Sequence, residues 1–341
     1  MRSNIRENSI LSTVKANHGS ITAIKSAILP VLGAASLTFG AAQAQTEAPT
    51  QASLTEIDST ENLGAAPAAE PLTGIAQFSA FNADSQSTIN YEQVNVYIEA
   101  VSVQSRGRVK FRYDAIGGQA KPFLDGVINF LETQDPTQFN RDEQLAYWLN
   151  FRNLLVLQSI ADTSRRRSLA TKRGTLGEPG SMWTEKRTSV NGERLSIDDI
   201  ERGIILANWE DPNILYGLYQ GVRGGPAYPA TSFSGATVTQ ELVSAARASV
   251  NARNTVKIRK NSASLPVYYE WFQAGLFGGS QTALLAHLTS HADEKLNAKL
   301  ANATEVSFRS MSFGVDEEVA RVSAPIGGGG IGSGGGGTAG S

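Results

Sequence analysis

Cysteine is absent from all 341 residues. That one absence removes thiol nucleophiles, disulfides and cysteine-based zinc or iron–sulfur sites. Histidine is scarce as well: only His18, His287 and His291 occur, so imidazole catalysis has few sources. No Gly-x-Ser-x-Gly turn presents a serine nucleophile. Neither sign of charge is in large excess. The formal net charge is −2 and the pI about 6.0, so nothing global draws the chain to nucleic acid. What is present is enough for a core, with 41% hydrophobic residues in a length that suits one domain plus flanks.

The flanks are distinct in composition. Arg2, Arg6, Lys15 and Lys25 form a basic leader, an apolar stretch runs from Ile28 to Phe39, and Ala42-Gln43-Ala44 fits a small-x-small cleavage site. The apolar stretch is interrupted by Pro30 and falls short of the roughly 20 residues of a membrane span. A signal peptide over 1–44 is therefore expected, with the mature chain periplasmic or secreted. Loss of the four cations and Glu7 would take the net charge from −2 to −5. Residues 45–87, rich in Ala, Pro, Glu, Ser, Thr and Gln, read as a disordered linker. At the other end, 326–341 carries two runs of four glycines. It lacks the Lys-Ser/Thr and the following helix of a phosphate loop, so it reads as a flexible tail.

Between the flanks, 88–325 reads as one folded α+β domain, mainly helical with a small antiparallel sheet. Helices are expected over 89–103, 122–132, 197–206, 234–253 and 282–300. Strands are expected at 110–114 and 305–313, and a hairpin over 188–195 turns at Asn191-Gly192. In the 122–132 helix, Phe123, Val127, Phe130 and Leu131 mark the expected inner face. The central element is the stretch from Asp142 to Leu157, apolar nearly all round and hence buried. Asn140 is its expected N-cap, with Glu143 three residues on as in a capping box. Inside it Asn150 and Asn153 lie about 60° apart on one stripe. Burying a carboxamide without a partner costs about 1–3 kcal/mol, so both must meet partners, water or a cleft.

Other polar features are weighed against plain structural roles. Asp198 and Asp199 follow Ser196 at a helix start and read as capping residues. His287 and His291, spaced i, i+4, lack the adjacent Glu of a zinc-protease helix and read as surface residues. From 163 to 194, eight Lys and Arg face three Glu. Arg165, Arg166, Arg167, Lys172 and Arg173 there form a candidate surface for an anionic polymer or lipid. A glycine-rich turn follows the apolar run from Ile214 to Tyr219, which is how a chain exposes backbone to a ligand or to close packing.

Three motifs in order resemble the bacterial and plant family known as domain of unknown function 547. They are Gln144-Leu145-Ala146-Tyr147-Trp148-Leu149-Asn150-Phe151-Arg152-Asn153, then the segment from Gly192 to Arg202, then Asp211 to Pro226. The family's cysteines and histidines resemble a thiol site of the papain or transglutaminase kind, which the resemblance extends to the fold. In this chain Arg202 and Leu215 stand at the family's histidine positions, and Gln220 and Gly225 stand at its cysteine positions. A Cys–His site needs a thiolate and a base, so the chain resembles a pseudoenzyme that keeps the surrounding scaffold. The reading is an exported cell-envelope protein whose domain binds an envelope ligand or protein without catalysis. Its candidate cleft comprises Asn150, Asn153, Glu201, Gln220, Gly221, Gly224 and Gly225. No catalytic residue, metal ligand or cofactor is assigned, and no nucleic-acid partner. Two alternatives stay open: a hydrolase or transferase acting on envelope polymers through carboxylates such as Glu201, and a structural envelope factor that bridges components.

Overall fold

The computed structural model describes residues 74–105, 107–162 and 181–318. The expected signal peptide over 1–44, most of the expected linker, the basic cluster at 165–173 and the glycine-rich end lie outside the described residues. By contacts the chain divides after Asn62, and every described residue belongs to the second unit.

In chain order the elements are α1 (Glu92–Val101), the hairpin β1 (Ser102–Ser105) and β2 (Arg108–Phe111), α2 (Lys121–Glu132) and α3 (Arg141–Ala161). The hairpin β3 (Thr188–Val190) and β4 (Glu193–Leu195) follows, then α4 (Asp199–Ile205), which is π-helical, and α5 (Val238–Val250). The last third holds β5 (Lys257–Arg259), β6 (Ser262–Pro266), α6 (Tyr268–Phe277), α7 (Gln281–His291), α8 (Glu294–Leu300) and β7 (Glu305–Arg309). This is a mainly helical α+β domain with small sheets. The pairings are antiparallel except β6 with β7, which run parallel.

Helix α3 is the core. Every residue from Glu143 to Leu157 is buried, as an all-round apolar helix requires. α2, α4, α5 and the short turn Tyr113–Ile116 pack around it. Its cap is as expected, since Asn140 Oδ1 accepts from Glu143 N at 3.0 Å. The Glu143 side chain does something else. Its Oε1 accepts from Ile89 N at 2.9 Å and its Oε2 from Gly235 N at 2.8 Å, so one buried carboxylate ties two distant loops to the helix start. Gly235 permits this: a Cβ there would sit 2.7 Å from Glu143 N.

Several expectations are corrected. In α2 the buried set is Leu124, Val127, Ile128 and Leu131, while Phe123 and Phe130 are exposed. Two stripes of helical spacing compete in that sequence, and the aliphatic one faces α3. The expected helix 282–300 is two helices, because Asp293 Oδ1 accepts from Leu296 N at 2.7 Å and starts α8 afresh. The domain also begins before residue 88. Phe78 is fully buried and meets Trp148 edge-on at 5.0 Å, and Gln144 Nε2 donates to Ala80 O at 2.8 Å. One buried ring in a polar stretch leaves no periodic signal, so composition alone assigns this segment to the linker.

Candidate functional site

The two asparagines of α3 face the chain's own backbone. Asn150 Nδ2 donates to Phe233 O at 2.8 Å, and its Oδ1 accepts from Phe233 N at 2.9 Å. Asn153 Nδ2 donates to Gly217 O at 2.9 Å, and its Oδ1 accepts from Tyr219 N at 3.2 Å and Arg152 Nη1 at 2.9 Å. Each carboxamide acts as a strand partner would, satisfying loop groups that have no ladder. Replacing Asn153 with Leu would take these partners from the Gly217 carbonyl and the Tyr219 amide.

Glu201, the carboxylate singled out from sequence, is held by a residue that sequence reasoning missed. Arg152 Nη2 donates to Glu201 Oε2, and Arg152 Nη1 donates to Tyr219 O. The two side chains are 0% and 2% exposed. The guanidinium also lies 5.6 Å from the centre of the Trp183 ring. The signal was present: Arg152 is the one charge in the run from Leu145 to Leu157. A charge inside a helix buried all round demands a buried counter-charge.

The expected cleft between α3 and the 220–226 loop is therefore filled. Gln220 is buried, with its Nε2 donating to Leu218 O at 3.0 Å, and Leu215 is fully buried. Gly221 has φ of 73°, and its carbonyl accepts from Asp316 N at 2.9 Å. Gly224 N donates to Ser312 O at 3.1 Å, and a Cβ on Gly224 would lie 2.8 Å from Met311 Cβ. Of the two roles the glycines offered, close packing is the one realised here. Arg108 fastens the far side, with Nη2 at 2.8 Å from Asp316 Oδ2 and 3.2 Å from Gly225 O.

The open concavity lies on the other side of that loop. A cavity of about 960 Å³ runs between residues 223–231, α5, the 252–257 turn and residues 309–312. Gly224 and Gly225 line it; Asn150, Asn153, Glu201, Gln220 and Gly221 do not. Its charged lining is Arg108, Arg223, Arg253, Lys257 and Arg309 against Glu241. Burial raises the Glu241 carboxyl above its usual pKa, opposed by a hydrogen bond from Thr237. Burial lowers the Arg309 guanidinium, whose partners are the carbonyls of Ser264, Asn254 and Thr255. Sequence reasoning missed this groove because its cations are spread from residue 108 to 309.

The histidines are not surface residues of the ordinary kind. His287 is half-buried, and its Nε2 lies 3.1 Å from Tyr216 Oη, which is 3.1 Å from Tyr269 Oη. Burial, and then the neighbouring His291, push the His287 pKa down to about 4. Among the described residues no three His, Asp or Glu side chains gather as metal ligands, and no helix is long and apolar enough to cross a membrane.

These features define a class: a mainly helical α+β domain in which a buried Arg–Glu pair and two asparagines clamp a glycine loop onto a central helix. The family model described as protein of unknown function, DUF547, matches residues 136–249, a span that runs from the start of α3 through α5. No curated protein and no solved structure matches the chain.

Proposed function

We propose that this chain is an exported cell-envelope protein whose domain binds an envelope ligand or partner without catalysing its conversion. One observation carries the reading. The carboxylate left at the resembled site, Glu201, is paired with Arg152 in the buried interior, and Leu215 and Gln220 are buried where the family resemblance puts a base and a thiol. A general acid or base must reach the proton it moves, and an enclosed ion pair has no such access. The groove beside α5 is the surface left for a ligand, and it is concave and mixed in polarity as binding sites are.

The test uses the full chain and isolated cell-wall polymer. Retention of the protein on the sedimented polymer, with no soluble fragments released, is the expected result. Release of soluble fragments by the folded parent chain would overturn the reading in favour of a hydrolase. Export is tested separately: protein recovered from the envelope or medium should begin at Gln45, and an intact amino terminus there would refute cleavage.

A further inference from the structure

We infer that the groove along α5 is the ligand site and that its ligand is an acidic polysaccharide, which rests on the binding reading above. Charge is the first argument. Arg108 is neutralised by Asp316, but among the described residues Arg223, Arg253, Lys257 and Arg309 form no ion pair with a carboxylate. Arg309 and Arg223 donate to main-chain carbonyls, which carry no compensating charge. Arg253 and Lys257 are exposed. Glu241 is the one carboxylate among the lining residues. A cationic concavity in a chain of net charge −2 is therefore a local feature of the surface. Low-dielectric walls focus such a field onto an anion.

The second argument is the distribution of the cations. Arg253, Lys257 and Arg309 meet at the turn after α5, where Arg309 donates to the carbonyls of Asn254 and Thr255, and Arg223 stands on the separate 223 loop, so the cations come from two places in the lining. Two such places suit a chain bearing more than one acid group, laid along a helix of 13 residues, about 20 Å long. The third argument is the lining between the cations. Hydroxyls and amides come there from Thr237, Gln240, Ser244, Asn254 and Ser310, beside small apolar residues such as Ala245 and Ala248. The rings of Tyr228, Phe233 and Tyr268 are no more than 6% exposed. A lipid or an acidic peptide with apolar anchors needs exposed apolar surface, and the large exposed apolar side chains Phe81, Phe123 and Phe130 all lie outside the groove. A hydroxyl-rich acidic chain matches this lining directly.

The experiment measures binding of the full chain to polygalacturonate, dextran and poly-L-glutamate. The groove variant is Arg253→Glu with Lys257→Glu. The control reverses the exposed Lys295 and Lys299 of α8. Thermal denaturation verifies that both fold. The expected result is binding to polygalacturonate that weakens with salt. It should fall at least tenfold in the groove variant, hold in the α8 variant, and be absent with dextran. Equal loss in both variants would mean diffuse attraction and overturn the site. Equal binding of dextran, or tighter binding of poly-L-glutamate, would overturn the ligand class. No binding of polygalacturonate would overturn the inference as well. Retention on cell-wall polymer that survives in the groove variant would sink the inference while leaving the binding reading intact; absence of retention altogether would sink both.

Discussion

Arg152 and Glu201 form an ion pair inside the core. Neither side chain reaches solvent, and Arg152 also bonds the Tyr219 carbonyl, so the pair fixes the loop that follows. Removing one partner leaves the other charge buried and uncompensated, which costs about 3–5 kcal/mol. Glu201→Gln is therefore expected to lower the urea midpoint strongly. The double change Arg152→Met with Glu201→Leu should recover much of that loss, because apolar residues of similar volume replace buried pairs at little cost. A Glu201→Gln protein as stable as the parent would show that water reaches the pair. From sequence, the need of Asn150 and Asn153 for partners was plain from their place in an apolar helix. The partners themselves, Phe233 and Gly217, lie 83 and 64 positions away, and no local pattern specifies such pairings.

Elements were legible where a single periodic or capping signal decides them. Helix α3 follows from its apolar run and Asn140, and the β3–β4 hairpin from Asn191 at φ 48° and Gly192 at φ 81°. The parallel pairing of β6 with β7 was not legible, since it joins residues 43 positions apart across three helices. The 220–226 loop was legible as a turn but not in its packing. The resemblance puts cysteines at 220 and 225, and a Cβ on Gly225 would lie 3.2 Å from Gln220 Cβ. Bridged cysteines hold their Cβ atoms about 3.5–4.5 Å apart, so a shift of a few tenths of an ångström makes the two positions a bridging pair. Gln220→Cys with Gly225→Cys is accordingly expected to oxidise to a disulfide in air. Closing so short a loop confers roughly 2 kcal/mol before strain. Mass spectrometry of the oxidised protein reads the outcome, and two thiols that stay free would show that the turn keeps the positions apart.

At the scale of the whole molecule, the described chain closes on itself. Glu318 N donates to Phe111 O, Asp316 pairs with Arg108, and Glu143 joins the segment before α1 to the segment before α5. Such long-range ties make one cooperative unit, so a single titrating group is felt in global stability. His287 is that group. It stacks on Tyr216, touches Phe277 and His291, and has Tyr269 one hydrogen bond further on. Burial, and then Arg247, lower the pKa of His291 as well, against an opposing pull from Asp211. Burial holds the His287 pKa at about 4 against its ordinary 6.5. The folded protein therefore binds this proton less readily than the unfolded chain. Stability is complete above about pH 6.5, declines as the unfolded state takes up the proton, and levels off below about pH 4. The full loss from this group is about 3 kcal/mol. Urea denaturation at pH 7 and pH 4.5 should show a large drop for the parent. His287→Phe keeps an aromatic ring beside Tyr216 but carries no proton, so it should start less stable at pH 7 and lose less on acidification. If parent and variant lose the same stability between those two pH values, the acid sensitivity belongs to other groups and His287 is a neutral packing residue at both.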